Sequence, residues 1–256
     1  MGQQPEFVHG DECLFCHRND IGPGWQKNAH GTTVRQREDA PELVARLKPP
    51  DEVEFFLGSR NHVRFLKKYG YGKFAIMDSK GEWDRSKFAD RCAGCHTTGV
   101  DPETKAFSAF GLDCYTCHGV VTLDHTKDTS LIWLSKKRRG DVQAVTSICA
   151  QCHLRGGHSR TTGLPYPNNF VAGDNLFKDY AVDFSKAGDQ HVIRNVREVV
   201  VSGSGVTCLS CHRVHANSSA KHRVVLTAPI CLDCHNKQGP KKAVKTHTVH
   251  SALCEY

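Results

Sequence analysis

One five-residue pattern, Cys-x-x-Cys-His, recurs six times and constrains the fold of this chain more than any other feature. The copies are Cys13–His17, Cys92–His96, Cys114–His118, Cys149–His153, Cys208–His212 and Cys231–His235. With 13 cysteines and 16 histidines in 256 residues, roughly 0.04 copies are expected by chance. Two thiols three residues apart on a short helical turn can form thioethers to the two vinyl groups of one porphyrin. The histidine that follows then projects its imidazole onto the iron. The pattern therefore reads as attachment of six haem c groups. The thioether residues are Cys13, Cys16, Cys92, Cys95, Cys114, Cys117, Cys149, Cys152, Cys208, Cys211, Cys231 and Cys234. The proximal ligands are His17, His96, His118, His153, His212 and His235. Zinc also takes Cys-x-x-Cys pairs, but four ligands suffice for it and a histidine beside every pair is not required. A disulfide framework would show varied spacings, and the chain is long for one. Twelve thioethers leave Cys254 over, to be read as a plain thiol, an intermolecular partner or an iron ligand.

On these motifs the chain resembles the multihaem c-type cytochromes. The segment Trp25-Gln-Lys-Asn-Ala-His30, shortly after the first motif, further resembles the hydroxylamine-oxidoreductase-like multihaem superfamily. That resemblance implies that His30 is a distal ligand to another haem. The expected fold class is mainly α with much irregular loop and little β, built on a haem-stacked core. Hydrophobic residues make up 39% of the chain and aromatics 8%, thin for a conventional core of this length; six apolar porphyrins would fill it. The expected organisation is a four-haem region over residues 1–160, a loop-rich connection over 161–205 and a dihaem region over 206–256, or one continuous domain.

The formal charge is +7, but a nucleic-acid reading does not follow. Six haems bring about twelve propionate charges, which takes the net charge to about −5 with ferrous irons and about +1 with ferric ones. The basic excess reads as internal compensation, and Lys136-Lys137-Arg138-Arg139 as a solvated face, a propionate clamp or a docking site for an acidic partner. No apolar run reaches the about 18 residues of a membrane span. Since haem c is attached outside the cytoplasm, a periplasmic or extracellular location is expected, with the signal peptide absent from this chain.

Between the first two motifs, Asp39-Ala-Pro41 opens a helix that runs through Lys48 and ends at Pro49-Pro50. A second helix capped by Asp51 (Val53, Phe56 and Leu57 at helical spacing) and a third over 61–69 are expected next. Lys73–Met77 and Glu82–Asp84 around Asp78-Ser-Lys-Gly81 read as a hairpin. The short spacings of Cys92 to Cys114 and of Cys208 to Cys231 imply two close haem pairs. Residues 159–190 read as irregular loop over haem edges, and 192–201 as a helix through Glu198 or else a strand.

Ten histidines remain for the sixth coordination position, against two methionines. Bis-His ligation and low potentials follow, because methionine ligation, which raises the potential, can serve hardly any of the six. His125, seven residues beyond His118, and His215, in Cys-His-Arg-Val-His, are distal candidates by resemblance to multihaem cytochromes, as is His30. His191, His222 and His250 complete the set, with His9, His62 and His247 in reserve. His158 reads as surface.

Six-coordinate irons leave no place for a substrate, so the expected function is electron transfer and not catalysis. Redox proteins or an extracellular acceptor are the expected partners, with no nucleic acid and no membrane span. One alternative is a subunit of an extracellular cytochrome filament, motivated by His9 and His247/His250 near the chain ends. Another is a reductase or oxidase of small nitrogen or sulfur compounds with one open haem; the absence of any Cys-x-x-Cys-Lys motif argues against it.

Overall fold

The computed structural model describes residues 10–58, 62–101, 103–135, 140–168, 170–184, 207–212 and 214–215. Its largest regular element is an antiparallel sheet of five strands in the order β1-β2-β3-β4-β5: β1 Val34–Gln36, β2 Phe55–Leu57, β3 Arg64–Gly70, β4 Lys73–Met77 and β5 Trp83–Asp84. This overturns the expectation of a mainly α protein with little β. The two helices expected over 51–69 are strands: β2 pairs with β3 in the register Phe55↔Leu66, Phe56↔Phe65, Leu57↔Arg64.

The reason lies in how β2 is buried. Its three residues point alternately to the two faces, and both faces are covered. Phe55 and Leu57 join Val34, Leu66, Phe74, Ile76 and Phe88 in one cluster. Phe56 joins Ala40, Leu43 and Val53 on the other side. A short apolar run buried on two faces carries no period-2 signature, so the spacing of Val53, Phe56 and Leu57 mimics one side of a helix. The aromatic content (Phe55, Phe56, Phe65) favours the strand. Phe56 and Phe65, cross-strand partners, meet edge to face with ring centroids 5.9 Å apart.

Other local readings hold. Helix α3, Pro41–Leu47, carries its proline in the first turn and ends at Lys48 in the left-handed region (φ 45°). It covers the Phe56 face of the sheet. The hairpin of β4 and β5 closes around Asp78, whose Oδ1 accepts the N–H groups of Lys80 and Glu82.

The opposite face of the sheet is what places the second motif. A π-helical turn, Phe88–Cys92, leads into α4, Ala93–His96. Phe88 and Ala93 are buried in the Phe55 cluster, with Cys92 packed against it. A two-stranded ribbon, β6 Thr97–Thr98 with β7 Ala109–Phe110, then returns the chain to the third motif. No helix among the described residues is long and apolar enough to cross a membrane.

A candidate haem-binding framework of cysteine and histidine helices

Each motif among the described residues lies on or at the end of a short helix. These are α1 Gly10–His17, α4, α5 Cys114–His118, α6 Val142–His153 and α7 Cys208–Cys211. The helices begin where the sequence caps them. Asp113 accepts the Tyr115 N–H at the start of α5, Asp141 accepts the Ala144 N–H at the start of α6, and Thr207 and Ser210 form a reciprocal capping box on α7. Helix α6 is the most deeply set, with Ala144, Val145, Ile148 and Ala150 in the core. It packs through Ala150 and Leu154 onto Leu176 and Tyr180 of the following loop. That loop is irregular as expected apart from a 3-10 turn, Leu176–Lys178, and the ribbon β8 His158–Ser159 with β9 Tyr180–Ala181. His158 is exposed on β8. Tyr166 crosses from the loop to the second motif. Its hydroxyl donates to the Ala89 carbonyl at 2.7 Å, and its ring occupies the space a Cβ on Gly94 would need. That is why the x-x pair of this motif contains glycine.

Sequence spacing does not decide which sulfurs meet. The thiol of Cys13 lies within hydrogen-bonding reach of Cys114, Cys95 of Cys152, and Cys149 of Cys208. The first motif therefore adjoins the third, and the fourth adjoins both the second and the fifth. The strand that leaves the second motif also touches the third, where Thr98 and Thr116 hydroxyls approach to 3.3 Å. None of Cys13, Cys16, Cys92, Cys95, Cys114, Cys117, Cys149, Cys152 or Cys208 forms a disulfide. Burial pushes the Cys117 thiol up to about 11.

The histidines come together in pairs. His17 and His125 have ring centroids 6.3 Å apart, His118 and His215 5.7 Å, and His30 and His153 6.0 Å. In each pair one member follows a Cys-x-x-Cys and the other comes from elsewhere in the chain. A metal bonded to one nitrogen of each ring at about 2.0 Å, plus the rings' own half-widths, sets centroids about 6 Å apart.

The other ring nitrogen is engaged in four of the six. His118 Nδ1–H donates to Trp133 O at 2.7 Å and His125 Nδ1–H to Thr122 O at 2.6 Å. His30 Nδ1–H donates to Asn28 Oδ1 at 3.0 Å, and His17 Nδ1–H to the Asp20 carboxylate at 3.2 Å. A carbonyl or carboxylate oxygen can only accept, so the proton is fixed on Nδ1 and Nε2 becomes the lone-pair nitrogen. Burial lowers the pKa of His96, His118, His153, His212 and His215, which keeps these rings neutral, as a ligand must be. His96 Nδ1 is buried without a hydrogen-bond partner among the described residues. Paired imidazoles, four of the six held from behind through Nδ1 and set beside Cys-x-x-Cys helices, are a donor set that fits haem c.

His62, held in reserve as a ligand, is exposed in the turn between β2 and β3. His191, His222, His235, His250, His9, His247, Cys231, Cys234 and Cys254 lie outside the described residues, as do the basic run 136–139 and the helix expected over 192–198. The side chain of Cys211 is likewise not described. Sequence reasoning missed the groups behind the candidate ligands. Asp20, three residues after His17, and Asn28, two before His30, were readable as local side-chain acceptors; the carbonyls of Thr122 and Trp133 carry no sequence signal.

A family model described as cytochrome c554 and c-prime matches residues 50–119, the stretch from β2 to the third motif. No curated protein matches the sequence. Among solved structures, the undecahaem cytochrome from the S-layer of Carboxydothermus ferrireducens superposes with a TM-score of 0.52 at 17% identity, covering 98% of this chain and 48% of that one. The chain thus spans about half the length of that structure. The family match covers residues 50–119 of the 256, and a structural likeness at 17% identity shows the fold alone.

Proposed function

We propose that this chain is an electron-transfer protein that binds six haem c groups through its six motifs, with predominantly bis-His, low-potential irons. The observation that carries the reading is the set of three imidazole pairs at 5.7–6.3 Å. It favours His125, His215 and His30 as the distal partners of His17, His118 and His153. Haem iron bound between two imidazoles supplies one-electron chemistry and offers no vacant position. What the polypeptide does is hold and orient. The cysteines tether, the helices aim the proximal rings, and the carbonyls and carboxylates behind Nδ1 fix ring orientation and raise ligand basicity. The contacts of Cys13 with Cys114 and of Cys149 with Cys208 favour a route that crosses between motifs far apart in sequence.

The resemblance of the Trp25–His30 segment to the hydroxylamine-oxidoreductase-like superfamily fits His30 as a distal ligand, and all six motifs end in histidine, which favours a carrier over an enzyme. Location outside the cytoplasm and redox-protein partners belong to the same proposal. The filament alternative rests on His9, His247 and His250, for which the described residues offer no support. The test is expression in a host that matures c-type cytochromes, with iron counting, a pyridine haemochrome assay and EPR. Six haems per chain with low-spin signals uphold the proposal. A colourless folded protein, or a largely high-spin one, rejects it.

A further inference from the structure

Two imidazoles far apart in the chain, His30 and His215, converge on one turn: Trp25 faces both rings, and Asn28 bonds His30 and the residue before His215. Asn28 is 2% exposed. Its Oδ1 accepts from the backbone N–H of His30 at 2.9 Å and from His30 Nδ1–H at 3.0 Å. Its Nδ2 donates to the carbonyl of Val214, the residue before His215, at 2.7 Å. With donors on one side and an acceptor on the other, the amide has a single orientation. The Trp25 indole lies parallel to His30 (6.3 Å, 6°) and presents a near-perpendicular contact to His215 (6.4 Å, 77°).

The turn itself is fixed from outside. Asn28 N–H donates to Trp25 O at 2.8 Å, Thr32 Oγ1–H to Asn28 O at 2.9 Å, and Leu112 N–H to His30 O at 3.0 Å. Gly31 makes room for the indole, since a Cβ there would lie 3.2 Å from Trp25 Nε1. Gly111, at φ +75°, approaches Gly31 so closely that a Cβ would meet its carbonyl oxygen at 2.6 Å.

Resting on the ligand pairing proposed above, we infer that Trp25 and Asn28 form one positioning device shared by two iron centres, His30/His153 and His118/His215. Asn28 sets the tautomer of His30 and anchors the segment that delivers His215; Trp25 limits the rotation of both rings. The two centres are therefore coupled through protein: a change in the turn registers at both, and other centres do not feel it. Neither residue is a ligand, and each acts through the rings it holds.

The test uses the haem-loaded full chain and reads EPR g-values and potentiometric midpoints centre by centre. Alanine replacements of His30 and of His215 first assign the two signals; if neither changes the spectrum, the ligand pairing itself is wrong and the shared device falls with it. With signals assigned, Asn28→Leu is expected to shift both of them, with haem content unchanged and the other signals unmoved. Asn28→Asp keeps an acceptor for His30 Nδ1–H but cannot donate to Val214 O. It is expected to lower the midpoint of the His30 centre while broadening or shifting the His215 signal, which splits the two roles. Trp25→Phe keeps an aromatic face and is expected to produce smaller shifts in the same two signals. The inference is overturned if Asn28→Leu moves one centre only or none, if it moves every centre, or if it costs bound haem while Trp25→Phe leaves both signals unmoved.

Discussion

Replacing His215 by alanine is the sharpest single test of how the irons are held. His215 lies 5.7 Å from His118 and 6.4 Å from Trp25, centroid to centroid, so removing its ring opens a space about the size of one imidazole between those two. A methyl group cannot reach across it, while His118 stays oriented by its 2.7 Å bond to Trp133 O. On the proposed reading of six bis-His haems, one iron in six would then lose its sixth ligand. About one sixth of the ferric iron is expected to become high-spin, and about one sixth of the ferrous iron to bind carbon monoxide. Millimolar imidazole is expected to restore the low-spin state, because the vacated space matches it. Optical and EPR spectra of the oxidised protein, with and without imidazole, give the answer. An unchanged low-spin spectrum would refute the pairing of His118 with His215. So would an equal change on replacing exposed His62.

Asp20→Asn is expected to raise the potential of the His17 centre, since the carboxylate behind Nδ1 makes the imidazole a stronger donor; potentiometry should show one midpoint moving and the others fixed. Phe56→Ala removes a ring that is fully buried between the sheet and α3, at a cost of about 3–5 kcal/mol, and a lower urea midpoint with an unchanged haem spectrum is expected. Burial alone would raise the Asp179 carboxyl, but hydrogen bonds from Ser159, Thr161 and Asn168 outweigh it and hold it at about 2 against an ordinary 3.8. Its contribution is complete above pH 4 or so and is lost as the pH falls toward about 2. Proteolysis of the 159–180 loop should therefore rise over that window, and Asp179→Asn should flatten the rise.

Much of the framework was legible in the sequence because its chemistry is local. A Cys-x-x-Cys-His turn, a proline in the first turn of α3 and an Asp78-centred hairpin each follow from residues within a few positions of one another. His30, His125 and His215 were chosen as distal candidates on resemblance, and each lies beside a motif histidine. The first three strands of the sheet were not legible, because Phe55-Phe56-Leu57 is buried on both faces and its spacing fits two structures equally well. The partners of the motifs were not legible either. Cys114 is 22 residues from Cys92 but its thiol meets Cys13, a contact set by the return of the chain through β6 and β7 and not by spacing. Asn28 joins His30 to Val214 across 186 residues, which no local pattern announces.

The phenylalanine cluster of the sheet has a bearing on biosynthesis. Phe55, Phe74, Phe88, Phe107 and Phe110 contact one another directly, with centroids 4.9–6.1 Å apart. A nascent polypeptide can build this part from its own side chains before any thioether is made. The enzymes that attach porphyrins would then find Cys92 already moored to a template, whereas Cys16 and Phe15, exposed on α1, are open to them. Maturation would thus start from a preformed cornerstone and be completed around it.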